Sequence, residues 1–242
     1  MFHLRYVKKP KHNDKVIAIV KGIGKHRNLF IALRNEEGNQ EIRVDKKEFI
    51  EPVLSDEMQR VFIFGESGSG KSTLASLFVK NSLDPAYIVS AKHGDPVFKN
   101  LDDVKYVKID RLIEYPIKYL SEWKYSTFVF DDIQFPSKEI DKKILRQRDY
   151  LLNLGRSKHI NVICSSWAFT GVGNPNKYAL LQAQAISFFP SVGDVLPLIN
   201  YLKARGRNKE QIKEIVNQKN TRWAILIKNP LCVITQKHVK LY

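Results

Sequence analysis

Apolar residues recur along this chain with two spacings. Runs in which nearly every position is apolar, at residues 61–64, 86–90, 126–130 and 160–164, have the length and composition of strands covered on both faces. Stretches with apolar residues three and four apart read as helices. Leu74, Leu77, Phe78 and Val79 give one such face just after residue 73. Ile140, Ile144, Leu145, Leu151 and Leu152 give another, within a charge-rich stretch from 137 to 154 that Gly155 ends. Alternating strand and helix signals predict an α/β fold, with a mostly parallel sheet of five or more strands flanked by helices.

Ahead of this core the pattern is different. Residues 1–14, polar and broken at Pro10, read as a loosely ordered basic arm. Short strands follow at 16–20, 28–33 and 41–44, the last two joined across 35–39 by residues with hairpin-turn chemistry, and Pro52 closes this small β element. Behind the core come a strand at 185–189 that completes the sheet, helices at 178–183, 192–204 and 208–218, and a strand at 221–227 with a hairpin partner at 231–235. The expected division is therefore 1–57, arm and β element, and 58–242, the α/β domain with a basic C-terminal extension.

The strand at 61–64 runs into Gly65-Glu66-Ser67-Gly68-Ser69-Gly70-Lys71-Ser72-Thr73, which matches G-x-x-x-x-G-K-[ST] in the strand-loop-helix setting that the motif needs. Glycines at 65, 68 and 70 let the backbone take positive φ and turn successive N–H groups inward on a phosphate. Lys71 is placed to reach β- and γ-phosphate oxygens and Ser72 to ligate Mg²⁺. Thr73 begins a helix whose positive end faces the same anion. The cofactors expected are ATP and Mg²⁺, in a P-loop NTPase fold of the RecA or ASCE kind.

The strand 126–130 ends in Asp131-Asp132, as a Walker B site does. Asp131 is the metal-side acid. Asp132 is the candidate base for activating water, with Glu66 as the alternative. The strand 160–164 ends at Ser165-Ser166, where such ATPases place a γ-phosphate sensor, here Ser165.

Composition narrows the picture further. At 242 residues and 43% apolar content the chain suits one α/β domain with a modest appendage. No run approaches the roughly 20 apolar residues that span a bilayer, and the N-terminus lacks a signal-peptide pattern, so an integral membrane protein is not expected. Cys164 and Cys232 are too few for a disulfide framework, and the six histidines lack metal-ligand spacing. The net charge of +15 favours a polyanionic partner. It is concentrated late, with ten Lys and Arg against two acids in residues 201–242.

The segments GESGSGKS, TFVFDD and LGRSKHINVICSS together resemble the FtsK–HerA branch of P-loop ATPases. Within it they most resemble the genome-packaging ATPases of tailless icosahedral DNA viruses with an internal membrane and of nucleocytoplasmic large DNA viruses. The similarity covers residues of about 58–190. It implies an ATP-driven translocase of double-stranded DNA in a homo-oligomeric ring. It also implies a capsid, vertex or membrane protein as docking partner, and action in the host cytoplasm or at a packaging vertex of the virion. Gly155 and Arg156 match the family's Gly-Arg-His segment, with His159 two residues displaced, which implies that Arg156, or Arg146 or Arg148 nearby, is an arginine finger acting on a neighbouring subunit. Many members end the sensor strand in Gln where Ser165 and Ser166 stand here. A P-loop nucleotide kinase and a nucleotide-gated adaptor binding DNA or capsid are the alternative readings. The β element reads equally as a ring contact, a DNA or capsid contact, or an extra sheet layer.

Overall fold

The all-apolar runs become strands and the staggered runs become helices. In order they are β1 (His3–Val7), β2 (Lys15–Gly22), β3 (Phe30–Arg34), β4 (Glu41–Arg43), β5 (Glu48–Pro52), β6 (Arg60–Phe64), α1 (Lys71–Lys80), β7 (Ala86–Ser90), α2 (Pro96–Lys99), β8 (Val104–Tyr106) and α3 (Ile109–Glu114). There follow β9 (Ser126–Asp131), α4 (Lys138–Leu154), β10 (Ile160–Ser166), α5 (Lys177–Gln182), β11 (Ala185–Phe188), α6 (Leu196–Ala204), α7 (Lys209–Val216), β12 (Ala224–Lys228), β13 (Leu231–Thr235) and β14 (His238–Leu241). The computed structural model describes residues 2–11, 14–35, 37–91, 94–133, 137–167, 169, 176–192, 194–218 and 220–242. Residues 167–178, which Gly171, Gly173 and Pro175 mark in the sequence as a loop, lie mostly outside them. Contacts divide the chain into a unit Gln59–Ala183 and a unit in which Met1–Met58 joins Gln184–Tyr242.

In the unit Gln59–Ala183, strands β6, β10, β9, β7 and β8 lie side by side in that order, all parallel. This is the mostly parallel sheet that the alternation of signals predicts. β6, β9 and β10 are buried at every position, which is why their sequences read as unbroken runs rather than alternating ones. Phe62, Phe78, Phe128 and Phe130 are fully buried, each contributing about 2–3 kcal/mol through removal from water. On α4, Ser137 caps the helix by accepting the Ile140 N–H at 3.4 Å, and Ile144, Leu151 and Leu152 face the core. β10 lies between β6 and β9, with Ser166 opposite Phe64 and Cys164 opposite Phe130. The C-terminal ends of these three strands therefore share one sheet edge, the usual ligand edge of an open α/β sheet.

The other unit is antiparallel throughout. β1, β3, β2 and β5 form one sheet, and β4, β14, β13, β12 and β11 pair in sequence in another, accompanied by α6 and α7. Two expectations are corrected here. The basic arm is not loose: His3–Val7 pairs along β3, with Leu4 and Val7 buried and Tyr6 stacked on His26 at 4.4 Å. Nor are β3 and β4 paired as the hairpin expected across 35–39, among the described residues: Leu4 and Asn39 exchange backbone hydrogen bonds of 2.7 and 3.1 Å, and β4 pairs with β14. The two bonds draw the chain along β1 and deliver Ile42 of β4 opposite Val239 of β14.

This unit also gathers His26, Asp45 and Glu48, whose ligand-type atoms lie within 4.8 Å of one another. The fully buried Glu48 carboxylate accepts N–H groups from His26 at 2.7 Å and Asp45 at 3.2 Å, and faces His26 Nδ1 at 3.0 Å. Both of its oxygens are thus taken up in tying two turns together.

Candidate functional site

Strand β6 delivers the chain to the ligand edge, where the Gly65 N–H donates to Ser166 O at 3.2 Å. The loop then turns, with the Ser69 N–H on Glu66 O at 3.2 Å. Gly68 (φ 78°) and Gly70 (φ 103°) occupy the left-handed region, while Gly65 does not. A Cβ at Gly68 would meet nothing within 4 Å, so backbone conformation rather than space requires glycine there. Gly70 caps α1 with no side-chain hydrogen bond, and no acid stands in the first turn. The first-turn N–H groups of Lys71, Ser72 and Thr73 are therefore left for an anion instead of an internal cap.

Five side chains, from the ends of β9 and β10 and the start of α1, converge beside this loop. Lys71, buried, sets its Nζ 3.1 Å from Glu66 O and 3.5 Å from Asp132 Oδ2. The Ser72 hydroxyl donates to Asp131 Oδ2 at 2.9 Å. The Ser165 hydroxyl donates to Asp131 Oδ1 at 2.5 Å and accepts the Asp132 N–H at 3.0 Å. Burial pushes the Asp131 carboxyl above its ordinary range against the pull of these two hydroxyls, and the negative Asp132 and Asp95 push the same way. Asp132 is itself at φ 43°, a left-handed conformation that Asp tolerates and that folds its carboxylate back toward Lys71. Ser69 Oγ and Asp132 Oδ1 are buried with no hydrogen-bond partner among the described residues. Orphaned polar atoms beside a glycine nest, a lysine and a serine–aspartate pair fit a nucleotide phosphate with its Mg²⁺.

The other expected site residues fall in different places. Glu66 and Ser67 are exposed on the loop, and Glu66 takes part through its backbone carbonyl. Thr73 is exposed on the first turn of α1. Ser165 has given its one hydroxyl proton to Asp131. Arg156 is exposed in the turn Gly155–Lys158, before β10 begins, and therefore at the sheet edge opposite the loop. Burial, and then the charge of Arg156, lower the pKa of Arg60 at the start of β6.

Arg148 is 1% exposed: its guanidinium donates to Asp149 Oδ1 at 2.9 and 2.7 Å and to Asn176 Oδ1 at 2.8 Å. Asn176 in turn donates to Ser166 Oγ at 2.8 Å. Sequence reasoning missed Asn176. Its signal, an Asn before a short helix, reads as a cap, yet the side chain makes no capping bond.

No protein-family model matches the chain. Over nearly its full length it is similar to uncharacterized protein V3 of the Sputnik virophage, with 26% identity over 255 aligned positions covering 98% of this chain and 99% of that one. Among solved structures it is similar to the pCW3 conjugation coupling protein TcpA, monomer form with ATPγS. That likeness has 14% identity and a TM-score of 0.51, over 93% of this chain and 77% of that one. It is also similar to the genome packaging NTPase B204 of Sulfolobus turreted icosahedral virus 2 in complex with AMPPCP, at 15% identity and a TM-score of 0.48, over 76% of this chain and 98% of that one. The chain has a P-loop NTPase fold, as its motifs lead one to expect.

Proposed function

We propose that this protein is an ATPase that moves double-stranded DNA, working as a homo-oligomeric ring in the packaging of a viral genome. The observation that carries the reading is the second carboxylate: Asp132 stands 3.5 Å from the P-loop lysine, beside the metal-side pair Ser72 and Asp131. A nucleotide kinase passes the phosphoryl group to an acceptor phosphate that is already ionised and has no need of a base there, whereas an attacking water must lose a proton. The net charge of +15, the coupling-protein fold and a full-length virophage relative support DNA as cargo and a virus as setting. Among the described residues no helix is long and apolar enough to cross a membrane. The setting proposed is the host cytoplasm, with docking at a capsid vertex or membrane protein.

In this mechanism the loop N–H groups and Lys71 hold the β- and γ-phosphate oxygens, and Ser72 with Asp131 would hold Mg²⁺, which would supply positive charge against those oxygens. Asp132 takes a proton from the attacking water, with exposed Glu66 as the alternative base. Ser165 acts as a positioning residue, fixing the Asp131 carboxylate from one side and the Asp132 backbone from the other. Arg156 supplies its guanidinium to the neighbouring subunit.

The test is phosphate release from ATP by the assembled protein, with and without blunt duplex DNA, over a salt series. Faster release with duplex is expected. Turnover that requires an added nucleoside monophosphate and ignores DNA identifies a kinase, and tight ATP binding without turnover in the oligomer identifies an adaptor.

A further inference from the structure

A dense run of positive charge lies in the antiparallel unit, where α6 turns into α7. The turn is closed by its own backbone. Gly206, at φ 73°, donates its N–H to Lys203 O at 2.9 Å, and Arg207 donates to Leu202 O at 3.2 Å. Asn208 then caps α7 by accepting the Gln211 N–H at 2.8 Å. From Lys203 to Lys213 this corner carries five cations and one acid, Glu210. Lys203, Arg205 and Lys209 are exposed and Arg207 half-buried.

A second feature sharpens the picture. The Arg205 guanidinium lies 5.1 Å from the ring centroid of Tyr201, and Lys228 Nζ lies 5.5 Å from the same centroid. Two cations share one ring, and they work against each other: burial, and then Arg205, push the Lys228 ammonium down to about 8. Like charges held together on one ring, Arg205 from the turn and Lys228 from the end of β12, favour an anion that can touch both.

We propose that this corner grips the backbone of duplex DNA, with Arg205, Arg207, Lys209 and Lys228 on its phosphates. The identity of the polyanion rests on the reading of the chain as a DNA motor. The location rests on the corner itself. Its charges are strung along an exposed turn rather than gathered round a cavity, which suits a repeating polyanion better than a single phosphate. An anionic membrane would want an apolar face beside the cations. Here the apolar residues of α7, Ile212, Ile215 and Val216, are buried, and the intervening exposed residues are Ala204, Gly206 and Asn208.

The experiment measures binding of a fluorescent blunt duplex by the full-length protein across a salt series. It compares the wild type with Arg205→Glu/Arg207→Glu and with Arg205→Lys/Arg207→Lys. Two lost phosphate contacts remove about 2 from the slope of log affinity against log salt, or about tenfold in affinity change between 50 and 200 mM. The glutamate variant is expected to show that loss while binding a fluorescent ATP analogue as the wild type does, and the lysine variant is expected to keep the slope. Unchanged duplex binding in the glutamate variant overturns the assignment of this surface and leaves the motor reading standing. Absence of duplex binding in the wild type at every salt overturns both. Preference for anionic vesicles over duplex at equal phosphate concentration, lost in the glutamate variant, overturns DNA as the occupant.

Discussion

Lys71 and Asp132 face each other across 3.5 Å, and the site's chemistry depends on keeping the two apart in role. Lys71→Ala removes the one loop-borne cation, so nucleotide affinity should fall about 10–100-fold and turnover vanish, as read by fluorescent-nucleotide titration and phosphate release. Wild-type turnover in that variant would put the site elsewhere. Asp132→Asn should leave nucleotide and Mg²⁺ binding within about twofold while turnover drops by roughly 10²–10⁴, because it deletes a base and leaves Ser72 and Asp131 intact. Turnover retained there but lost in Glu66→Gln would move the base to Glu66, whose exposed side chain has freedom to swing. The loop is legible in sequence because glycine spacing is a local property, with Gly68 and Gly70 at the positive φ that spacing asks for. The bonds of Ser165 are not legible, since they depend on β10 lying between β6 and β9, a matter of strand order rather than of spacing. Nor is the burial of Arg148: on a helix this rich in charge, nothing marks one arginine as the inward one until Asn176 arrives from a later segment.

Elements whose apolar faces are continuous could be read directly. β6, β9, β10, α1 and α4 stand where the runs and the 3.6-residue stagger put them. β1, β5 and β14 could not, because each is short and broken by polar or charged residues, and in β5 it is Glu48 and Glu51 that are buried while Phe49 is exposed. Their burial comes from partners far away in sequence, as where Val239 of β14 meets Ile42 of β4. Glu48, at the start of β5, shows how such an element is held. Burial alone would raise its carboxyl, but the bonds from the His26 side chain, His26 N–H and Asp45 N–H outweigh it and hold the group below the ordinary carboxylate range. A depressed carboxyl contributes stability that is present above the unfolded-state value and is lost as pH falls through the folded one. Glu48→Gln should therefore cost on the order of 2 kcal/mol at neutral pH. It should also flatten the acid limb of a stability curve taken by urea unfolding between neutrality and pH values below the ordinary carboxylate range. An acid limb as steep as that of the wild type would mean that Glu48 binds its proton equally in the folded and unfolded states.

At the scale of the whole molecule the parallel sheet separates its two arginine-relevant edges. Ser165 is the sixth residue of β10, which starts just past the Gly155–Lys158 turn, a span of about 17 Å at the rise of a strand, so Arg156 cannot serve its own P-loop. Any finger role must be exercised on a neighbour, in a ring of head-to-tail contacts. There it would stabilise transition-state charge, worth ~10³–10⁵ in rate where such arginines have been measured. The competing role is a surface or DNA-contacting arginine, with Arg60 and Lys158 close by. Mixing separates the two. Arg156→Ala subunits should bind ATP normally and be inactive alone, as should Asp132→Asn subunits. When equal amounts are mixed, about a quarter of head-to-tail interfaces pair an intact base with an intact arginine, and turnover should return to roughly that share of wild type. Mixtures that stay inactive at every ratio, or an Arg156→Ala protein with weakened duplex binding and untouched basal turnover, would take the role from Arg156. Of the two remaining candidates only Arg146 is exposed on α4, because Arg148 is buried against Asp149 and Asn176, so the finger would pass to Arg146.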